Sequence, residues 1–181
     1  DTKKYSYSLV LDLDETLVHS IAEIGKTLIR PFAEEFIEAL YDDYEIIIFT
    51  AAVKDYADGI LNLLDKKGDI IKYRLYRQHT SISGVVNYKD LNKLGRDLSK
   101  TIIIDNLREN FRMQPNNGLF IKTWIFDIND KQMLDIKKVL IDIVNYNVPD
   151  VRTVIAKIND EVKYAKNIFS PYSNINISKL V

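Results

Sequence analysis

Leu9 to Ser20 reads LVLDLDETLVHS, an apolar run that breaks abruptly into acids and then resumes. Together with Tyr7 and Ser8 the run gives YSLVLD, too short and too evenly apolar for an amphipathic helix, and it predicts a buried strand ending at Asp12. Alternate positions of an extended chain point the same way, so Asp12 and Asp14 can face one site just beyond the strand end. A bare pair of acids at this spacing is also what an ordinary turn looks like. The reading therefore depends on what the rest of the chain brings to the same place.

Working outward, Glu45 to Thr50 (EIIIFT) and Thr101 to Asp105 (TIIID) repeat the pattern of an apolar run ending in a polar residue. Between the strands lie helical periods. Arg30-Pro31-Phe32 opens an amphipathic helix with Phe32, Phe36, Ile37 and Leu40 on one face, Pro31 suiting its first turn. A second helix carries Val53, Tyr56, Ala57, Ile60, Leu61 and Leu64 on its inner face, with Gly68 as its terminator. From Tyr73 to Asp90 the pattern shortens around Gly84, predicting small antiparallel strands inserted as a flap. One more strand is expected within Leu119 to Trp124, then helices over 130–146 and 149–165, then an Asn- and Ser-rich tail without clear period.

Apolar strands alternating with helices predict an α/β fold with a parallel sheet covered on both faces. Ligands of such sheets bind beyond the carboxyl ends of the strands. Three of the expected strands end there, in Asp12, Thr50 and Asp105. The organisation expected is one domain over 1–166, with a small β insert at about 72–90, and a C-terminal tail over 167–181.

Composition narrows the chemistry. Lys+Arg of 25 against Asp+Glu of 26 leaves a formal charge of −1, so no global field recruits nucleic acid or an anionic membrane, and no direct nucleic-acid partner is expected. The absence of cysteine rules out a disulfide framework, a thiolate metal site and a cysteine nucleophile. No apolar run is long enough to span a bilayer, so no membrane segment is expected.

A carboxylate pair repels an incoming phosphate unless cations neutralise it. Asp105-Asn106 offers the hard oxygen ligands that Mg2+ prefers, Lys89 a mobile point charge, and Thr50 a hydroxyl donor. Taken singly, a solvated lysine, a strand-end threonine and an Asp-Asn turn are the commoner roles of such residues. Together, in this chain order, they point to a phosphate site.

The stretch LVLDLDETLVHS closely resembles the signature of the small C-terminal-domain phosphatase (FCP/SCP-like) group of the haloacid dehalogenase superfamily, also called the NLI-interacting-factor family. The resemblance runs on through Arg30-Pro31, IIIFTAAVKDYAD, YRLYRQHT, YKDLNKLGRDLSK and IIIDN, collinear as far as Trp124. It implies a Rossmann-like haloacid dehalogenase fold and an Mg2+-dependent phosphoserine/phosphothreonine protein phosphatase acting through an aspartyl-phosphate intermediate. The phosphorylated tail of RNA polymerase II is one substrate of that class.

Position by position, the resemblance makes Asp12 the nucleophile and Asp14 the general acid and later base. Thr16, Thr50 and Lys89 fall on the phosphate-binding positions, and Asp12, Asp14, Asp105 and Asn106 on the metal-associated ones. The partner implied is a phosphorylated protein or peptide, and the compartment nuclear or cytoplasmic.

Three stretches depart from the family pattern. Ser20 to Arg30 is a short connection where better-known members have a long segment that contributes an apolar pocket. Ser83 to Val86 lacks the usual polar residue, and Leu107-Arg108 replaces a small residue and proline. Two alternatives accompany the main reading: a small-molecule phosphomonoesterase, and a non-catalytic scaffold resembling the mitochondrial import receptors that share the fold, which would place the chain in mitochondria.

Overall fold

The computed structural model describes residues 5–165 and 170–181. Five parallel strands form the central sheet: β1 (Tyr7–Leu11), β4 (Tyr44–Phe49), β5 (Ile71–Leu75), β8 (Thr101–Asp105) and β9 (Gly118–Phe120), in the spatial order β5-β4-β1-β8-β9. The chain first builds outward from β1 to β4 and β5, then crosses to β8 and β9 on the other side. The crevice at the carboxyl end of β1 is therefore the topological switch point, where open parallel sheets bind ligands.

Strand parity explains why the runs are apolar throughout. Leu9, Leu11, Ile46, Ile48, Ile102 and Ile104 enter a large core with the inward faces of α1 (Ala33–Leu40), α2 (Lys54–Leu64), α3 (Gln132–Asn145) and α4 (Val151–Lys163). The alternate residues Val10, Ile47, Phe49 and Ile103 meet Leu91 and Phe111 on the opposite face. That face is closed by short 3-10 turns instead of long helices. Each such side chain, fully buried, contributes on the order of 2 kcal/mol of transfer free energy, so neither face tolerates a polar residue cheaply.

Two antiparallel hairpins stand outside the sheet: β2 (Val18–Ile21) with β3 (Lys26–Ile29), and β6 (Ser81–Ser83) with β7 (Val86–Tyr88). The structure corrects the expected insert at its first edge. Tyr73 to Leu75 belongs to β5, a parallel edge strand of the main sheet, so the hairpin is confined to Ser81–Tyr88. The connection between Ser20 and Arg30, expected as a bare link, is itself a hairpin. Gly68 does not end α2; the helix stops at Leu64, and Asp65 accepts the N–H groups of Gly68, Ile70 and Ile71.

The C-terminal residues, which showed no clear period in the sequence, contribute to the core. Tyr172, Ile175, Ile177 and Leu180 are buried in the main core, and the Tyr172 hydroxyl donates to the Phe120 carbonyl at 2.5 Å. Residues 170–181 therefore pack with the domain; Asn167 to Phe169, the start of the expected tail, lie outside the described residues. No helix among the described residues is long and apolar enough to cross a membrane.

Candidate active site

Asp12 follows β1 directly, its N–H still in the ladder with Ile104 O at 3.1 Å. The chain then turns sharply: Leu13 O receives the N–H groups of Thr16, Leu17 and Val18, while Glu15 sits in the left-handed region at φ 62°. A non-glycine residue holds that conformation only when its surroundings enforce it. Here the Glu15 N–H donates to Val18 O at 2.7 Å and Glu15 O accepts the Trp124 N–H at 2.8 Å. The turn fixes Asp12 and Asp14 at the mouth of a cavity of about 580 Å³.

Both oxygens of Asp12 are engaged from behind. Lys89 Nζ donates to Oδ1 at 2.6 Å, and the Thr16 hydroxyl to Oδ2 at 2.9 Å. Lys89 also donates to Asp105 Oδ2 at 2.5 Å and is only 1% exposed. It reaches this position from the end of β7, where its N–H is held by Asn110 O at 2.7 Å. Asn110 in turn spans both Asp105 oxygens with its amide nitrogen at 2.9 and 3.0 Å. The loop carrying Asn110 is seated by Phe111 over Gly118, where an added Cβ would lie 2.2 Å from the ring.

The remaining residues face the cavity. Thr50 directly follows β4, and its hydroxyl accepts the Ala52 N–H at 3.0 Å, leaving its own proton to donate. Asn106 donates to the Thr123 hydroxyl at 3.1 Å, which leaves its amide oxygen for the cavity. Tyr56 donates to Asp14 Oδ1 at 2.5 Å.

Of the positions singled out in the sequence, Asp12, Asp14, Thr50 and Asn106 thus line the cavity. Thr16, Lys89 and Asp105 stand behind them. The hydroxyl of Thr16 is spent on Asp12. Both oxygens of Asp105 are taken by Leu107 N–H, Asn110 and Lys89, so it steadies the lysine and does not reach the cavity itself.

Three lining residues carried no sequence signal for this place: Tyr56, Asn110 and Arg77, an exposed guanidinium whose Nε donates to Ala51 O at 2.7 Å. Tyr56 and Val53, expected on the inner face of α2, are instead 36% and 50% exposed at its start. Arg108 lies away from the cavity, stacked over Phe120 at 4.6 Å in a separate cleft.

The electrostatics follow from burial. Asp14 is raised above the usual carboxylate range, chiefly by desolvation, with Asp12 and Glu15 adding and the bond from Tyr56 opposing. Tyr56 is pushed up to about 12 by burial and by Asp14. Burial, then the charge of Asp12, pushes Asp105 up to about 6. Burial works against charge on Lys89, but Asp12 and Asp105 outweigh it and leave the lysine above its ordinary range.

One buried cation thus faces two carboxylates, with Asp14 as a third close by. A divalent cation fits that imbalance, and the free donors are hard oxygens suited to Mg2+. Among the described residues no three acidic or histidine side chains form a ready cage. Mg2+ commonly keeps several waters and takes only one or two carboxylates, so the sparse set agrees with it.

A family model described as NLI interacting factor-like phosphatase matches residues 7–152. The chain belongs to that family. The match takes in every cavity residue named above and runs from β1 to the start of α4. Similar family members include the "Probable C-terminal domain small phosphatase" of Dictyostelium discoideum, 39% identical over 82% of this chain and 53% of the relative. The "CTD small phosphatase-like protein" of Homo sapiens is 36% identical over 71% of this chain and 52% of its own. The chain spans about half the length of these relatives.

The fold is shared with the fission yeast RNA polymerase II CTD phosphatase Fcp1 bound to beryllium fluoride. The TM-score is 0.55 at 17% identity, over 87% of this chain and 55% of that one. An uncharacterized protein from Listeria monocytogenes gives a TM-score of 0.58 at 13% identity, over 77% of this chain and 99% of that one.

Proposed function

We propose that this chain is an Mg2+-dependent phosphoprotein phosphatase that works through an aspartyl-phosphate on Asp12. The observation that carries the reading is the state of Asp12: a carboxylate at the switch point, oriented by Lys89 and Thr16 and open to the cavity beside Asp14 and Thr50.

In the first step Asp12 attacks phosphorus and the bond to the leaving oxygen breaks, while Asp14 transfers its proton to that oxygen. In the second, Asp14 takes a proton from water, the water oxygen joins phosphorus, and the bond to Asp12 breaks. The pKa of Asp14, raised chiefly by burial, suits the first role, since burial favours the protonated form that has a proton to give. Thr50 donates to a phosphoryl oxygen, and Lys89 keeps Asp12 aimed. Asp12, the Asp14 backbone carbonyl and Asn106 would hold Mg2+, whose chemistry is to neutralise charge on the phosphoryl oxygens.

The cavity is broad-mouthed, with Val53 and Leu107, 50% and 49% exposed, among its lining. That shape suits a phosphorylated side chain presented by a peptide better than a small metabolite, which is usually enclosed. The names of the relatives point to C-terminal-domain phosphopeptides as the first substrates to try. A purely scaffolding role would place no demand on Asp12, Asp14, Thr50, Lys89 and Asn106 as a set.

The test is phosphate release from an aryl phosphate at mildly acidic pH, with and without Mg2+, for wild type and Asp12→Asn, followed by a phosphoserine peptide against a sugar phosphate. Turnover that needs both Mg2+ and Asp12, and that favours the peptide, supports the proposal. A folded protein without turnover would leave the scaffold reading in its place.

A further inference from the structure

We infer that Tyr56 is a positioning residue for the general acid: held by the Ser20–Thr27 pair of the β2–β3 hairpin, its hydroxyl fixes Asp14 so that the transferable proton sits on Oδ2. The inference rests on the phosphatase reading and adds a part to it.

Four oxygens form a line. Thr27 Oγ1 is 2.9 Å from Ser20 Oγ, Ser20 Oγ is 2.6 Å from the Tyr56 hydroxyl, and that hydroxyl is 2.5 Å from Asp14 Oδ1. A tyrosine has one proton to give. Given to Asp14, it leaves the phenolic oxygen as an acceptor, so Ser20 donates to Tyr56 and Thr27 donates to Ser20. The line therefore has one direction, from the hairpin to the acid. A carboxyl group whose Oδ1 accepts such a bond carries its proton on Oδ2. No hydrogen bond to Oδ2 occurs among the described residues.

Tyr56 is poorly placed for a packing role. Ala57, Ile60, Leu61 and Leu64 bury the inner face of α2, whereas Tyr56 sits in the first turn with its ring at the cavity rim. The hairpin also gains a purpose. Ser20 and Thr27 are opposed residues in its register, so their spacing is set by backbone pairing and does not depend on flexible side chains.

General acid catalysis matters most when the leaving group is a poor one. An alkoxide from phosphoserine needs the proton; the phenolate of an acidic phenol hardly does. The experiment measures kcat on a phosphoserine peptide and on an aryl phosphate of an acidic phenol for wild type, Tyr56→Phe, Ser20→Ala and the double variant.

Tyr56→Phe keeps the ring and is expected to lower turnover of the peptide about tenfold more than that of the aryl phosphate. Ser20→Ala should shift the same ratio in the same direction by less, and the double variant should match Tyr56→Phe alone. Equal losses on both substrates, or additive effects of the two changes, would overturn the inference while leaving the phosphatase reading intact. Absence of wild-type turnover on the aryl phosphate, or its survival in Asp12→Asn, would remove both.

Discussion

Arg30 and Lys89 are two cations buried almost completely, at 1% exposure each, and their surroundings differ in one respect. Arg30 meets a single carboxylate, Asp130, through Nε at 2.9 Å and Nη2 at 2.8 Å, and its Nη1 donates to Thr16 O at 3.1 Å. The charges cancel. Lys89 meets two carboxylates, Asp12 and Asp105, and leaves a net negative charge below the cavity. A balanced buried pair is a clamp, here one that ties α3's approach to the signature turn. An unbalanced one is a site, because burying excess charge is too costly to keep unless a ligand repays it.

The contrast is open to breaking at either end. The largest effect expected is on stability at the clamp: Arg30→Met strands Asp130 and should cost about 3–5 kcal/mol in urea unfolding, while Arg30→Met with Asp130→Leu should recover most of it. A loss below ~1 kcal/mol for the single change would mean the clamp is not one. At the site, Lys89→Met strands two buried carboxylates, so it should also lower stability, and it should register in catalysis as well, lowering kcat roughly 10²–10³-fold, the scale of a removed charge-stabilising donor.

Mg2+ sharpens the difference further. At about a hundred times its dissociation constant it should raise unfolding free energy by ~2.7 kcal/mol in wild type and by much less in Asn106→Ala. Arg30→Met should keep the full increment on its lower baseline.

The smallest effect lies at a third ionic cluster, one open to water. Asp58 is 23% exposed in its side chain, bonded to Lys54, Tyr76 and Arg74, and held well below the usual carboxylate range chiefly by Lys54. A depressed folded-state pKa means stability that is present above the unfolded-state value and lost as pH falls through the folded one. Urea midpoints of wild type and Asp58→Asn should therefore differ above about pH 4 and converge below it. A difference that widened on acidification would reverse that sign.

How much of this the residues announced depends on burial. β1, β4 and β8 are central strands with both faces covered, so their apolar runs and the polar residue ending each were plain to read. β5 is an edge strand, with Lys72 and Tyr73 exposed, and its mixed pattern imitates a strand of a solvent-facing hairpin. The segment over 170–181 buries Tyr172, Ile175, Ile177 and Leu180 without a regular helix, so no period marked it.

The cavity residues of the signature, Asp12 and Asp14, were legible through their place at the end of an apolar run together with the residues that other strand ends bring there, and not through their spacing alone. The roles behind them were not, since only three-dimensional contact separates Thr16 and Asp105, turned to Asp12 and Lys89, from Thr50 and Asn106, turned to the cavity. Tyr56 fits the helical period of α2 as well as its buried neighbours do. Its place at the first turn, beside Asp14, takes it off the core.

The central claim is that the unbalanced carboxylate, Asp12, is the one that accepts the phosphoryl group. Asp14→Asn isolates that step, because an aryl phosphate of an acidic phenol needs no proton to leave, whereas release from Asp12 needs Asp14 as base. Acid quenching of this variant with Mg2+ and the aryl phosphate, followed by peptide mass mapping, should place a phosphoryl group on Asp12. A phosphoryl group on another residue, or an unphosphorylated Asp14→Asn protein that turns over as fast as wild type, would contradict it.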